Sequence, residues 1–66
     1  MKIDTLVGIN NYTLMVYSYP KGFYSFCIID RSGATYNFDS IFSNSTDAYF
    51  SGKNAVKLAF EFDLNK

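Results

Sequence analysis

The sequence predicts an α+β domain: an antiparallel β-meander of three to four strands with one C-terminal helix packed on one face. Two features of the chain carry that expectation. Residues 2–40 fall into short runs rich in alternating apolar residues, separated by turn-forming clusters, as in an antiparallel meander. Beyond residue 44, small and apolar residues recur at helical spacing behind Ser45-Thr46-Asp47, a cluster suited to a helix start.

The elements follow in order. Residues 2–9 read as a strand, with Ile3, Thr5, Val7 and Ile9 on one side and Lys2, Asp4, Leu6 and Gly8 on the other. Asn10-Asn11 is a two-residue turn, because Asn tolerates positive φ better than most residues. Strand two is Tyr12–Tyr19, and Pro20-Lys21-Gly22 closes the next hairpin, Pro setting φ and Gly taking the left-handed position. Phe23–Asp30 is strand three, Arg31-Ser32-Gly33 a further turn, and Ala34–Ser40 a shorter fourth strand.

Turn lengths set the register, so the two faces can be assembled from them. The turns place Ile9 opposite Tyr12, Val7 opposite Leu14, Tyr19 opposite Phe23, Val16 opposite Phe26 and Ile28 opposite Tyr36. One face then collects Ile3, Val7, Ile9, Tyr12, Leu14, Val16, Tyr24, Phe26, Ile28, Tyr36 and Phe38, a core face continuous over four strands. The opposite face has a polar rim but an apolar middle around Leu6, Met15, Tyr17, Tyr19, Phe23, Cys27 and Ile29. A sheet with one wet face alternates more cleanly than this, so a second cover is expected there.

The C-terminal third admits two readings. As a helix from about Thr46, with Ser45 as N-cap, it lines up Ala48, Gly52, Ala55, Val56, Ala59 and Phe60 against Lys53, Asn54, Lys57 and Glu61. Gly52 then faces the sheet and allows close approach. As a strand, Val56, Leu58, Phe60, Phe62 and Leu64 alternate, giving an all-β alternative. The helix is favoured because an apolar sheet face needs a cover and a helix is the simplest one.

Composition removes several function classes. A chain of 66 residues is a single small domain (residues 1–66), which buries only about 60% of its unfolded surface. Cys27 is the only cysteine and there is no His, so neither an internal disulfide nor a zinc site of the usual kind is expected. Seven Phe and six Tyr supply the packing instead. The formal charge of zero gives no electrostatic footprint for nucleic acid and offers little resistance to self-association. Neither a signal-peptide core nor a run approaching the ~18 apolar residues of a membrane span is present, so a cytoplasmic location is expected.

No catalytic constellation emerges. Cys27 has no His to activate it and reads as a structural thiol. Asp30 reads as a turn-initiating residue and Asp39 as a solvated strand end, while Asp4, Asp47, Glu61 and Asp63 form no recognisable pair. Ser51-Gly52-Lys53 lacks the leading glycine and trailing hydroxyl of a phosphate loop. Catalytic, cofactor and metal sites are therefore all read as none.

Phe26-Cys27-Ile28-Ile29-Asp30, with Lys53-Asn54-Ala55-Val56-Lys57-Leu58-Ala59 further on, is similar to the second half of double-stranded-RNA-binding domains. The overall order of elements also resembles HicB-type antitoxin folds. Each resemblance covers about half the chain and implies fold alone. The chain departs from the RNA-binding pattern by opening on a strand, and by carrying Ser45-Thr46-Asp47 where that family clusters lysines.

The expected function is a non-catalytic protein-interaction module that dimerises or docks on a larger protein through an aromatic sheet face or edge. Met15, Tyr17, Tyr19, Phe23 and Ile29 are the candidate partner-binding residues. The partner is then protein, either a second copy or a larger target, with no membrane role. Small size and absent chemistry also fit an inhibitor, such as a phage-encoded blocker of a host enzyme. The alternative is a small nucleic-acid-binding module that stacks bases on Tyr17, Tyr19 and Phe23, with Lys2, Lys21 and Arg31 for phosphates.

Overall fold

A computed structural model describes the backbone of residues 1–64 and the side chains of residues 1–62. Asp63 and Leu64 as side chains, and Lys66 altogether, lie outside the described residues. Four strands form one antiparallel sheet in sequence order: β1 (Lys2–Ile9), β2 (Tyr12–Ser18), β3 (Tyr24–Ile29) and β4 (Thr35–Asn37). A single helix, α1 (Ser45–Leu64), follows them. The meander with a C-terminal helix is thus the fold, and the all-β alternative falls.

Each turn has a local chemical cause. Asn10 and Asn11 both take positive φ, 51° and 70°, the combination of a two-residue hairpin whose twist matches the strands. The next two hairpins share one geometry. Gly22 N–H donates to Tyr19 O at 3.1 Å and Tyr19 N–H to Phe23 O at 2.8 Å; Gly33 N–H donates to Asp30 O at 3.0 Å and Asp30 N–H to Ala34 O at 2.9 Å. Each ends on a glycine in the left-handed region, at φ 85° and 92°. Those turns impose the expected register, with Ile9 opposite Tyr12, Val7 opposite Leu14, Val16 opposite Phe26 and Ile28 opposite Tyr36.

Helix α1 lies across one face, over β2 and β3, touching β1 at its margin and leaving β4 uncovered. Tyr12, Leu14, Val16, Phe26, Ile28, Ala48 and Val56 form the buried core, ringed by Val7, Ile9, Tyr24, Phe42, Ala55, Ala59 and Phe60. The expected helical face is therefore the one that packs. Gly52 sits on Leu14, where a Cβ would overlap the leucine side chain.

Four expectations need correction. The helix is capped by Asn44 rather than Ser45: Asn44 Oδ1 accepts the Asp47 N–H at 2.8 Å, and Asn44 Nδ2 donates to Asp47 Oδ2 at 3.1 Å. Asn and Ser cap about equally well, so residue type alone did not discriminate. Strand four stops at Asn37 instead of Ser40, because the chain bulges away before Phe42 bridges back to Tyr24 through two bonds of 2.8 Å. Ile3 does not belong to the core face. A bulge between Ile3 and Thr5 sets Ile3 opposite Tyr17, on the other side of the sheet, where it is 54% exposed. Finally, Tyr36 and Phe38 lie on the core side but are not closed over by α1: they line an open hollow of about 380 Å³ with Ala55, Ala59 and Phe62, and Tyr36 stays 51% exposed.

Candidate protein-interaction surface

The sheet face opposite α1 is built in rows by the register. Leu6, Met15, Cys27 and Asn37 form one row; Ile3, Tyr17 and Ser25 form the next; Tyr19 and Phe23 close the end. Among the described residues no helix or strand lies across these rows. The bulged segment after β4 reaches this face from elsewhere. Ser25 is buried and its hydroxyl donates to Ser40 O at 2.8 Å, with a longer contact of 3.5 Å to Phe38 O, tying that segment beside Tyr17.

The result is a hollow of about 380 Å³, with Tyr17, Tyr19 and Ser25 facing Phe38, Asp39, Ser40 and Ile41. The Tyr17 and Tyr19 rings meet edge to face at 5.6 Å and 78°. A hydrogen bond with Tyr17 pushes the Tyr19 phenol above its ordinary value, with smaller contributions from burial and from the Tyr17 charge. Around the hollow the surface is apolar and open: Leu6 is 61% exposed and Phe23 47%.

Of the five residues singled out from sequence, the structure puts all on this face, in successive rows: Ile29 beside Thr13, then Met15, then Tyr17, then Tyr19 with Phe23. They differ in accessibility. Tyr19 and Phe23 are exposed, Met15 and Ile29 half-buried, and Tyr17 retains only 8% of its surface. Ile3 was not anticipated here, whereas Ile41-Phe42 is a segment the sequence offers as a cover for Tyr17, Tyr19 and Phe23. Ile3 arrives through the bulge, which no turn signal announces; Ile41 arrives through the non-periodic segment after β4. Cys27 lies under this face and burial raises its thiol pKa, an environment that suppresses the thiolate.

Of the basic residues of the nucleic-acid alternative, Lys2, opposite Ser18, and Lys21, in the β2–β3 turn, share one end of the sheet. Arg31 lies in the β3–β4 turn at the other end, about 20 Å from Lys21 along a six-residue strand. Among the described residues no group of His, Cys, Asp or Glu could hold a metal ion, and no helix is long and apolar enough to cross a membrane.

Asp30 is fully occupied by structure. Its Oδ1 accepts from Ser32 N at 2.9 Å, Ser32 Oγ at 2.6 Å and Ala34 N at 3.0 Å, while Tyr36 Oη donates to Oδ2 at 3.1 Å. Those donors hold its carboxyl below the ordinary value, the Ser32 hydroxyl first among them.

Fold and surface together define a small α+β domain with one covered and one open sheet face. Comparison with protein-family models, curated proteins and solved structures finds no match, so neither resemblance noted from sequence is carried further.

Proposed function

We propose that the chain is a non-catalytic protein-interaction module that docks a protein partner on the sheet face opposite α1. The observation that carries this reading is the open apolar face itself. Ile3, Leu6, Tyr19 and Phe23 remain exposed around the Tyr17–Tyr19 hollow, although the chain has a twenty-residue helix that packs on the other face. Contiguous apolar surface on a small domain is costly in water and typically marks a partner site. Tyr19 and Phe23, both exposed, supply the kind of aromatic anchor that dominates interface energetics. Acting as an inhibitor of a larger protein is one form this docking takes.

The test is affinity enrichment from cells that express the chain, run in parallel with wild type, Phe23→Lys and Tyr19→Lys, at low and at high salt. The reading requires a protein retained by wild type in both salts and lost with both variants. Retention of nucleic acid that disappears in high salt would support the alternative instead.

A further inference from the structure

The two edges of the sheet are protected very differently. Strand β4 has only three residues, and a very short edge offers little to pair with. Strand β1 has eight. Its bulge and its charges, Lys2 and Asp4, are confined to the first half; Thr5-Leu6-Val7-Gly8-Ile9 pairs with β2 without interruption, uncharged and without Pro. Ile9 and Tyr12 flank a two-residue turn and form a hydrogen-bonded pair, so the alternation directs the main-chain groups of Thr5, Val7 and Ile9 towards β2. Those of Leu6 and Gly8 point to the open side. Among the described residues this is an unpaired strand edge, able to accept another strand.

What lies beside that edge selects the occupant. On the helix side, an open groove of about 700 Å³ is lined by Ile9, Asn10, Lys53, Asn54, Lys57, Phe60 and Glu61. Lys53 and Lys57 stand on the β1-ward flank of α1, with Glu61 closing the far end. Helix α1 runs alongside β1 in the same direction, Thr46 and Tyr49 lying near Asp4 and Thr5, and Phe60 near Ile9 and Asn10. A second copy joined edge to edge about Val7 would therefore bring Lys53 of the two helices to the same level, cation facing cation. On the other side of the sheet, the neighbours of the edge are Leu6 and Ile3, both apolar and exposed.

We infer that the β1 edge takes an extended segment of a partner protein as a fifth strand, one whose side chains alternate between acidic residues facing Lys53 and Lys57 and apolar residues beside Leu6. Main-chain bonds to Leu6 and Gly8 supply the docking, and the two lysines supply the choice of partner. This rests on the reading of the domain as a protein-interaction module and names the chemistry of what it binds.

A displayed library of random twelve-residue peptides, selected on the full chain, tests it directly. The selected peptides should alternate acidic and apolar residues. In fluorescence-anisotropy titrations, methylating alternate peptide amides should abolish binding, a change that leaves the protein untouched. Gly8→Pro should weaken binding about tenfold or more, since it places a Pro ring on the free edge; a Cβ at Gly8 has room, meeting only Tyr12 O at 3.9 Å. Lys57→Glu should weaken it several-fold, and Phe23→Lys should leave it unchanged. Circular dichroism confirms that each variant is folded. Failure to select any peptide, absence of acidic bias, or indifference to amide methylation overturns the inference. Loss with Phe23→Lys but not Gly8→Pro also overturns it, moving the binding to the open sheet face and leaving the module reading intact. A concentration-dependent dimer of the chain that Gly8→Pro dissociates would show that a second copy takes the edge, and the inference would fail.

Discussion

Gly52 rests on the side chain of Leu14, with no room for a Cβ between helix and sheet. Leu14 is fully enclosed, so its methyl groups have nowhere to retreat. Two effects then oppose each other in Gly52→Ala. The helix gains about 1 kcal/mol of propensity, while overpacking a closed core costs about 1–3 kcal/mol. The second wins, and Gly52→Ala should lower stability by about 1 kcal/mol in urea unfolding. Because the two sites share one contact, Gly52→Ala should be tolerated better in a Leu14→Val background than in wild type. Simple additivity would show that the contact does not set the helix height.

The helix N-terminus offers a second measurement. Asn44 both accepts from the Asp47 backbone and donates to its carboxylate. Asn44→Ala should cost about 1 kcal/mol, seen as a fall in Tm of about 4–8 °C for a domain of this size. Ser45→Ala should change Tm little. A larger effect at Ser45 than at Asn44 would move the cap by one residue.

Asp30 makes the domain sensitive to acid. Its folded pKa is depressed below the ordinary 3.8, so the carboxylate favours the folded state. That contribution is fully present above the ordinary value and is lost as pH falls through the depressed one. The urea midpoints of wild type and Asp30→Asn should therefore differ at neutral pH and converge in acid. The phenol of Tyr36 should loosen in the variant, since it loses the acceptor at 3.1 Å. A gap that stays constant with pH would remove the carboxylate from this role.

On the open sheet face, burial separates packing residues from docking residues. Tyr17 is enclosed by its neighbours and by the segment tied down through Ser25, so Tyr17→Lys should destabilise the fold by about 2 kcal/mol or more. Phe23→Lys, at a half-exposed site, should stay within about 0.5 kcal/mol of wild type and lose partner binding instead. If Phe23→Lys unfolds the domain, that side chain is core and the docking face does not include it.

Cys27 supplies a built-in reporter for all of these. Its thiol is buried and its pKa raised, so a thiol reagent should label it slowly in the folded state and quickly in urea. Faster labelling in Tyr17→Lys than in Phe23→Lys would rank the two variants by how often the sheet opens.

By itself the sequence determined the local events and everything that follows from counting. Asn10-Asn11, Gly22 and Gly33 set the turns because their backbones adopt positive φ at little cost, and turn length then set which residues face each other. The helical period alone sets Gly52, Ala48 and Val56 on one side of α1, the side that packs. Tertiary structure alone decided the rest. Which sheet face α1 covers depends on where the chain emerges after β4 and on the fit of Gly52 over Leu14, neither of which has a periodic signature. The bulge that turns Ile3 over is a mismatch between two strands rather than a property of either. The width of one helix, about 10 Å, against four strands at about 4.8 Å spacing explains why Tyr36 and Phe38 share the core face yet stay exposed. The candidate surface was legible as an excess of apolar residues on one face; its accessible part, with Tyr17 beneath and Tyr19, Phe23, Leu6 and Ile3 above, is a consequence of packing.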